Sequence, residues 1–305
     1  MYRRFVIFER KQRHIMAPPF CDRVVHHALV RVVEPLFEKR FIHHSYACRK
    51  GKGNHQAASQ VQKYLRAARG KWGCDMYVLQ GDISKYFPSI PASVIKARIR
   101  RVIRDPAVLW LIDIIIDHGA AAGRGLPVGA LTSQLMANIV GDRIDHLVKD
   151  ELGQKFYIRY MDDWVALAPD KTELWRVLAR IGAALKNELG LELNRKTDVF
   201  PAKNGVDFCG YRIWDTHILP RKNNVKKAKK RFRRLSAMHT AGLATRRDVE
   251  ASLASFLGYM KHCRGRKTRQ ETIKHLVLKR GGYDLYAKTS DYRSCGNRRE
   301  ESRPG

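Results

Sequence analysis

The chain has 305 residues, of which 44% are hydrophobic, enough for two or three packed units and too many for a disordered tail. Its net charge of +30 and pI near 10.2 argue against a bland neutral surface and point to a polyanionic partner, nucleic acid being the usual one. Basic ribosome-associated proteins share such a balance without any catalysis, so charge alone does not select an enzyme. The charge is uneven: residues 221–305 carry 24 Lys and Arg against 7 Asp and Glu.

Along the chain, MYRRFVIFERKQR has too short an apolar stretch for a signal peptide. Pro18-Pro19 blocks a helix, and the spacing of Val25, Leu29, Val32 and Leu36 predicts one over 22–40, with Asp22 as N-cap. SYACRKGKGNHQA is a polar loop rich in Gly and Lys. A helix follows, with Val61, Leu65 and Ala68 on one face. MYVLQGDI reads as a short buried strand ending at Asp82, and KYFPSIP as a turn with no regular element. Two helices are expected over 92–104 and 106–118. The apolar run VLWLIDIIID in the second is too short to span a bilayer and is broken by Asp113. GRGLPVGALTSQLMANIVGDRIDHLVKDELG starts as a Gly-rich loop and becomes a helix. FYIRYMDDWVALAP reads as two short strands around a turn at Met161-Asp162-Asp163. A helix over 171–190 ends at Gly190 as its C′ residue. VDFCGYRIW reads as a small hairpin. Beyond Pro220 the pattern is helical and basic, with Thr245–Asp248 resembling a capping box, and SCGNRREESRPG is expected to be disordered. Cysteines stand at 21, 48, 74, 209, 263 and 295 without C-x-x-C spacing, so neither a disulfide framework nor a zinc site is expected. These features together predict a soluble, cytoplasmic chain with no membrane association.

Asp162 and Asp163 pose an electrostatic question. Two adjacent carboxylates inside an apolar run repel each other and resist burial unless something neutralises them. Asp82 ends another apolar strand. If the two elements are neighbours in one sheet, the three carboxylates form a hard, oxygen-rich cage suited to Mg²⁺ held jointly with substrate phosphates. Two such ions roughly 4 Å apart activate a hydroxyl and stabilise a leaving oxygen. A solvated Asp-Asp turn is the alternative that the dipeptide alone leaves open.

These motifs resemble the reverse transcriptases. YMDD at a strand turn follows a D-x-x-x-x-F stretch by about 80 residues, and seven segments between residues 13 and 215 occur in the family's order. They include LQGDISKYFPSI, GLPVGALTSQLMANIV, LELNRKTDVF and VDFCGYRI. The resemblance implies an α+β right-hand polymerase fold with a small antiparallel palm sheet: fingers over 1–75, palm over 76–220, a basic helical thumb over 221–290 and a tail over 291–305. It implies that Asp82, Asp162 and Asp163 bind two Mg²⁺, with Mn²⁺ able to substitute, and that the Ile83 carbonyl completes the coordination. Phe87 matches the aromatic gate that excludes a ribose 2′-hydroxyl; by its pattern alone a core aromatic is the favoured reading. Arg49 and Lys52 match fingers cations that meet a triphosphate, in a loop that reads otherwise as a solvated basic segment. Lys196 matches a lysine that protonates pyrophosphate, or is a surface lysine. Phe208, Cys209, Gly210 and Tyr211 match the primer grip, with Gly210 allowing close backbone approach.

V-G-A-L-T-S-Q, Val128 to Gln134, departs from the Q-G-x-x-x-S-P form of group II intron enzymes and resembles diversity-generating retroelements. Gln134 would then sit near the incoming nucleotide or templating base, though it serves equally as a helix-start residue. That resemblance implies error-prone copying at template adenines for mutagenic retrohoming. The implied partners are a template RNA, a primer or cDNA duplex, dNTPs and a small helical oligomeric accessory protein. Another bacterial reverse transcriptase, of antiphage-defence or group-II-intron type, remains the near alternative. A non-catalytic RNA-binding scaffold on the same fold is the distant one. Neither an HNH-type extension nor an RNase H acidic constellation is found after residue 220. The basic helices there are expected to follow the phosphate backbone of a duplex.

Overall fold

The computed structural model describes residues 2–8, 12–120 and 122–278, so the expected tail lies outside the described residues. The described residues form two compact units, one within 2–221 with 262–264 and the other of 222–261 with 265–278. Among the described residues no helix is long and apolar enough to cross a membrane.

The first unit opens with an antiparallel hairpin of β1 (Arg3–Phe8) and β2 (Gln12–Ala17). Helix α1 (Phe20–Glu38) then starts two residues earlier than its pattern predicts. Its N-cap is Pro19, and Asp22 caps nothing but lies in the first turn, where a negative charge suits the helix dipole. Helix α2 (Asn54–Trp72) buries Val61, Leu65 and Ala68 on one face, as expected. Strand β3 (Tyr77–Gly81) stops just before Asp82. The KYFPSIP segment is not a bare turn: α3 (Tyr86–Ser89) is one helical turn, because Pro88 sits within its first turn, where no donor is lost. Helices α4 (Ala92–Arg100) and α5 (Pro106–Gly119) follow, the second capped by Asp105, which accepts from the Val108 N–H. Helix α6 (Leu131–His146) runs into a π-helical turn over Leu147–Glu151.

The central sheet uses β4 (Tyr157–Tyr160), β5 (Asp163–Ala168) and β6 (Asp198–Pro201), in the antiparallel order β4-β5-β3-β6. Helix α7 (Lys171–Leu189) packs on it through Leu174, Val177, Ile181 and Leu185 and ends at Gly190, whose φ of 61° is the left-handed cap conformation. Strand β3 therefore lies beside β5, the strand that Asp163 begins. The pairing is close: Gly81 faces Trp164, and a Cβ on Gly81 would lie 1.9 Å from the indole ring. A second antiparallel sheet holds β7 (Val206–Phe208), β8 (Tyr211–Ile213) and a third strand, β9 (Ile218–Pro220), that the sequence pattern does not announce.

Within this unit Arg159 of β4 is a buried charge, only 1% exposed. Its guanidinium donates to both carboxylate oxygens of Asp145 on α6, at 2.8 and 2.7 Å. Asp145 is fully buried and also accepts from the Tyr157 hydroxyl at 2.9 Å. Burial opposes the charge on Arg159, and Asp145 outweighs that, so the guanidinium is held above its ordinary pKa. Nη1 donates to the Met161 carbonyl at 3.0 Å and Nη2 to Ser45 Oγ at 3.2 Å. The segment around Ser45 bridges β4 in parallel fashion, with Arg159 N–H donating to the His44 carbonyl and Tyr46 N–H to the Arg159 carbonyl. One side chain thus ties together α6, the loop after α1 and the turn that follows β4.

The second unit is helical. Its helices are α8 (Lys222–Thr240), α9 (Arg246–Met260) and α10 (Arg266–Ile273), with Phe232 and Phe256 meeting edge to face at 5.3 Å. The predicted capping box is present: Thr245 Oγ1 accepts from Asp248 N–H, and Asp248 accepts from Thr245 N–H.

Removing one partner of the Arg159–Asp145 pair strands a buried charge. Asp145→Ala is expected to cost about 3–5 kcal/mol of stability in urea unfolding, and Asp145→Leu with Arg159→Met to recover much of it. Equal loss in the single and the double variant would contradict this.

Candidate active site

The turn of the YMDD motif is a two-residue loop: Tyr160 pairs with Asp163, leaving Met161 and Asp162 at the tip. Met161 has a φ of 59°, a conformation that a side chain adopts only when its surroundings enforce it. The Arg159 bond to its carbonyl and the burial of the side chain supply that enforcement. Asp163 opens β5, partly buried, at the end of the sheet where Asp82 leaves β3.

The carboxylates share one electrostatic environment. Asp163 is pushed up to about 7, first by burial and then by the charges of Asp162 and Asp82; Arg221 opposes the shift. Arg221 is ion-paired with Asp207, a fourth carboxylate that also acts on Asp163. Negative charge thus outnumbers positive charge here, and the donor set fits a hard divalent cation in kind. Among the described residues no three acidic, imidazole or thiol side chains are drawn into a ready metal cage. Asp82 is instead held by Asn194, whose Nδ2 donates to Asp82 Oδ2 at 2.7 Å. Ile83 is buried opposite Leu193, and the bonds flanking it, Ser84 N–H to the Glu192 carbonyl and Asn194 N–H to the Asp82 carbonyl, do not use its own carbonyl.

The hairpin of β7 and β8 lies beside this cluster. Phe208 pairs with Tyr211 across Cys209-Gly210, with φ values of 49° and 89°, which is the signature of a type I′ turn. Burial and then Asp163 raise the Cys209 thiol well above its usual pKa, which places the turn against the acidic cluster. Tyr211 is fully buried, and its hydroxyl meets His55 Nδ1 at 2.7 Å.

The other expected residues divide. Phe87 is half-buried on α3 and packs edge to face on Tyr86, against the core but still partly exposed. Gln134 is exposed in the first turn of α6, the place expected of a helix-start residue, with its side chain open to solvent. Lys196 is exposed in the loop before β6. Arg49 departs from its expected place in a flexible loop. It is buried, donates to Glu38 at 2.6 Å and 2.9 Å, and reaches the carbonyls of Ile42 and Ser45 at 2.7 and 2.8 Å. Glu38 ends α1, and these carbonyls lie in the loop beyond, so one guanidinium satisfies them all. Lys52 turns the same way, to the His43 carbonyl and the face of Tyr46.

The sequence profile described as reverse transcriptase (RNA-dependent DNA polymerase) matches residues 9–213. The chain belongs to the reverse transcriptase family. Protein YkfC of Escherichia coli K12 is 26% identical over 246 residues, covering 67% of this chain and 63% of that protein. Group II intron-encoded protein LtrA of Lactococcus lactis is 25% identical over 190 residues, covering 60% of this chain and 30% of LtrA. The chain thus spans less than two thirds of either relative. Telomerase from Candida albicans, solved with a fragment of telomeric RNA, superposes with a TM-score of 0.55 at 13% identity, covering 89% of this chain and 54% of telomerase. Apo telomerase from Candida tropicalis gives 0.56 over 90% of this chain and 55% of its own. These likenesses establish the α+β polymerase fold of reverse transcriptases, with its small antiparallel sheets.

Asn194 and Arg159 are the residues that motif reading passes over. Asn194 stands two positions before Lys196, where an Asx turn is a readable signal. Arg159 interrupts an apolar strand just before the motif, an arginine where burial demands a partner.

The raised carboxyl of Asp163 makes a pH prediction. Between the ordinary carboxylate range and about 7, the folded chain holds a proton that the unfolded chain has lost. Metal-free stability is therefore expected to fall as pH rises through that window, by at most about 1.4 kcal/mol per pH unit, and Asp163→Asn to flatten the slope. Mg²⁺ competes with the same proton, so its rise in melting midpoint is expected to be larger at pH 8 than at pH 6. Midpoints measured with Mg²⁺ and with EDTA check both statements.

Proposed function

We propose that this chain is an RNA-directed DNA polymerase that copies a template RNA into cDNA. The observation that carries this reading is the pairing of β3 with β5, which sets Asp82 at the end of one strand beside the Asp162-Asp163 turn at the start of the next, with the type I′ turn of Cys209-Gly210 close by; the raised carboxyl of Asp163 agrees with it. The three carboxylates and the Ile83 carbonyl would hold two Mg²⁺, or Mn²⁺ in their place. When bound, such ions lower the pKa of an attacking 3′-hydroxyl and offset charge on the leaving oxygen. The chain's own residues do the positioning. The Cys209-Gly210 turn presents backbone to a primer end next to Asp163. Phe87 offers a ring edge against the sugar, where a 2′-hydroxyl would collide. Arg49 and Lys52 would reach a triphosphate only by leaving Glu38 and the His43 carbonyl, which makes the 49–53 loop a candidate for closure on dNTP binding. Lys196, exposed in the loop before β6, would donate a proton to pyrophosphate.

In the fuller reading, fingers, palm and thumb occupy 1–75, 76–220 and 221–290. The basic helices α8 to α10 hold a primer–template duplex by its phosphates. The V-G-A-L-T-S-Q segment and exposed Gln134 support a diversity-generating retroelement, with errors at template adenines and a small helical accessory protein as partner. Residence in the cytoplasm of a bacterial host belongs to the same reading. A group-II-intron-type role is the second reading, favoured by the likeness to LtrA.

Primer extension on an RNA template is the test. The wild type is expected to extend with Mg²⁺ or Mn²⁺, and Asp162→Ala with Asp163→Ala to lose more than about 10²-fold. No extension by the wild type on any template would refute the polymerase. Sequenced cDNA then separates the two readings. Errors clustered opposite adenines support the retroelement; errors spread evenly over the four template bases support the intron-type enzyme.

A further inference from the structure

The geometry points to Asn194 as the positioning residue of Asp82, and so of the ion site; this rests on the reading of the acidic cluster as a divalent-cation site. Two bonds join the residues directly, and a shared turn ties them further. Asn194 N–H donates to the Asp82 carbonyl at 2.8 Å, and Asn194 Nδ2 donates to Asp82 Oδ2 at 2.7 Å. Asn194 Oδ1 accepts from Lys196 N–H at 3.1 Å, and its carbonyl accepts from Thr197 N–H at 2.9 Å. Thr197 Oγ1 returns to Asp82, accepting from its N–H at 3.3 Å.

Three physical points follow. First, the amide cannot be reversed. A flip would set Asn194 Oδ1 against a carboxylate oxygen and its NH₂ against the Lys196 N–H, so both bonds would be lost. Second, holding Oδ2 fixes the rotamer of the Asp82 carboxylate before an ion arrives. Part of the ordering cost of assembling the ligands is then already met by the fold. Third, a neutral amide orients the carboxylate without discharging it. A Lys or Arg at this position would compete with the ion as a permanent counter-charge, whereas the amide leaves the negative charge for the cation. The same side chain starts the Asx turn that carries Lys196, so Asp82 and Lys196 are set by one group.

The test separates the bond to Asp82 from the turn. Asn194→Ser keeps a short acceptor for the Lys196 N–H but cannot reach Asp82; Asn194→Ala removes both functions. Full-length wild type and both variants are titrated with Mn²⁺ alone by calorimetry, and the Mg²⁺ dependence of primer extension is measured alongside. Both variants are expected to bind Mn²⁺ about 10-fold or more weakly and to need correspondingly more Mg²⁺ for half-maximal extension. High Mg²⁺ is expected to restore most of the rate of Asn194→Ser, whose melting midpoint in EDTA matches the wild type. Wild-type Mn²⁺ affinity in Asn194→Ser overturns the proposal, because the turn alone would then explain the residue. A flat Mn²⁺ isotherm for the wild type removes the ion-site reading itself, and the proposal with it.

Discussion

The buried ion pair of Arg159 and Asp145 is the constraint on which the rest of the site depends. Two charges with almost no exposure are held only because every polar atom of the guanidinium has a partner nearby. The partners come from α6, from the loop after α1 and from the turn after β4. No hydrophobic contact is as selective, since an apolar pair of equal volume tolerates sliding and rotation whereas a bidentate fork does not. Gly141 belongs to the same arrangement. A Cβ there would lie 2.4 Å from Arg159 Nη1, so the helix is cleared for the guanidinium.

With the turn fixed in this way, the acidic cluster is a strained store of like charge. Met161 adopts a positive φ, and burial together with the charges of Asp162 and Asp82 pushes the Asp163 carboxyl up to about 7. Neither would persist in an isolated hairpin. The sheet supplies the registers, with Asp82 leaving β3 and Asp163 entering β5, and Asn194 brings the loop before β6 onto Asp82. The site is therefore over-determined by a fold whose stability lies elsewhere, which is how strain survives at functional positions.

Much of this was legible in the sequence. The strands flanking Asp82 and Asp162, the tight turn, the cap at Gly190 and the reciprocal box of Thr245 and Asp248 follow from local chemistry, and local chemistry is what short patterns encode. The features that were not legible are long-range or depend on competition between partners. Asp145 sits at a helical spacing that any surface aspartate could occupy, and only the fold places Arg159 against it. Arg49 was drawn toward solvent by its Gly- and Lys-rich surroundings, but Glu38 lies eleven residues away on α1 and claims it. Asp22 had the right identity for a cap, yet Pro19 already held that place. Strand β9 forms because β8 offers it an edge, a reason that lies outside its own three residues.

The Cys209 thiol carries a consequence for redox chemistry. Thiolate is the form that oxidants and alkylating agents attack, and burial together with a neighbouring carboxylate keeps Cys209 protonated. Cys21 and Cys74 are free and exposed by contrast. An oxidising medium thus reaches the periphery of the molecule first, and the turn that faces the acidic cluster is chemically the most inert of these sulfur positions.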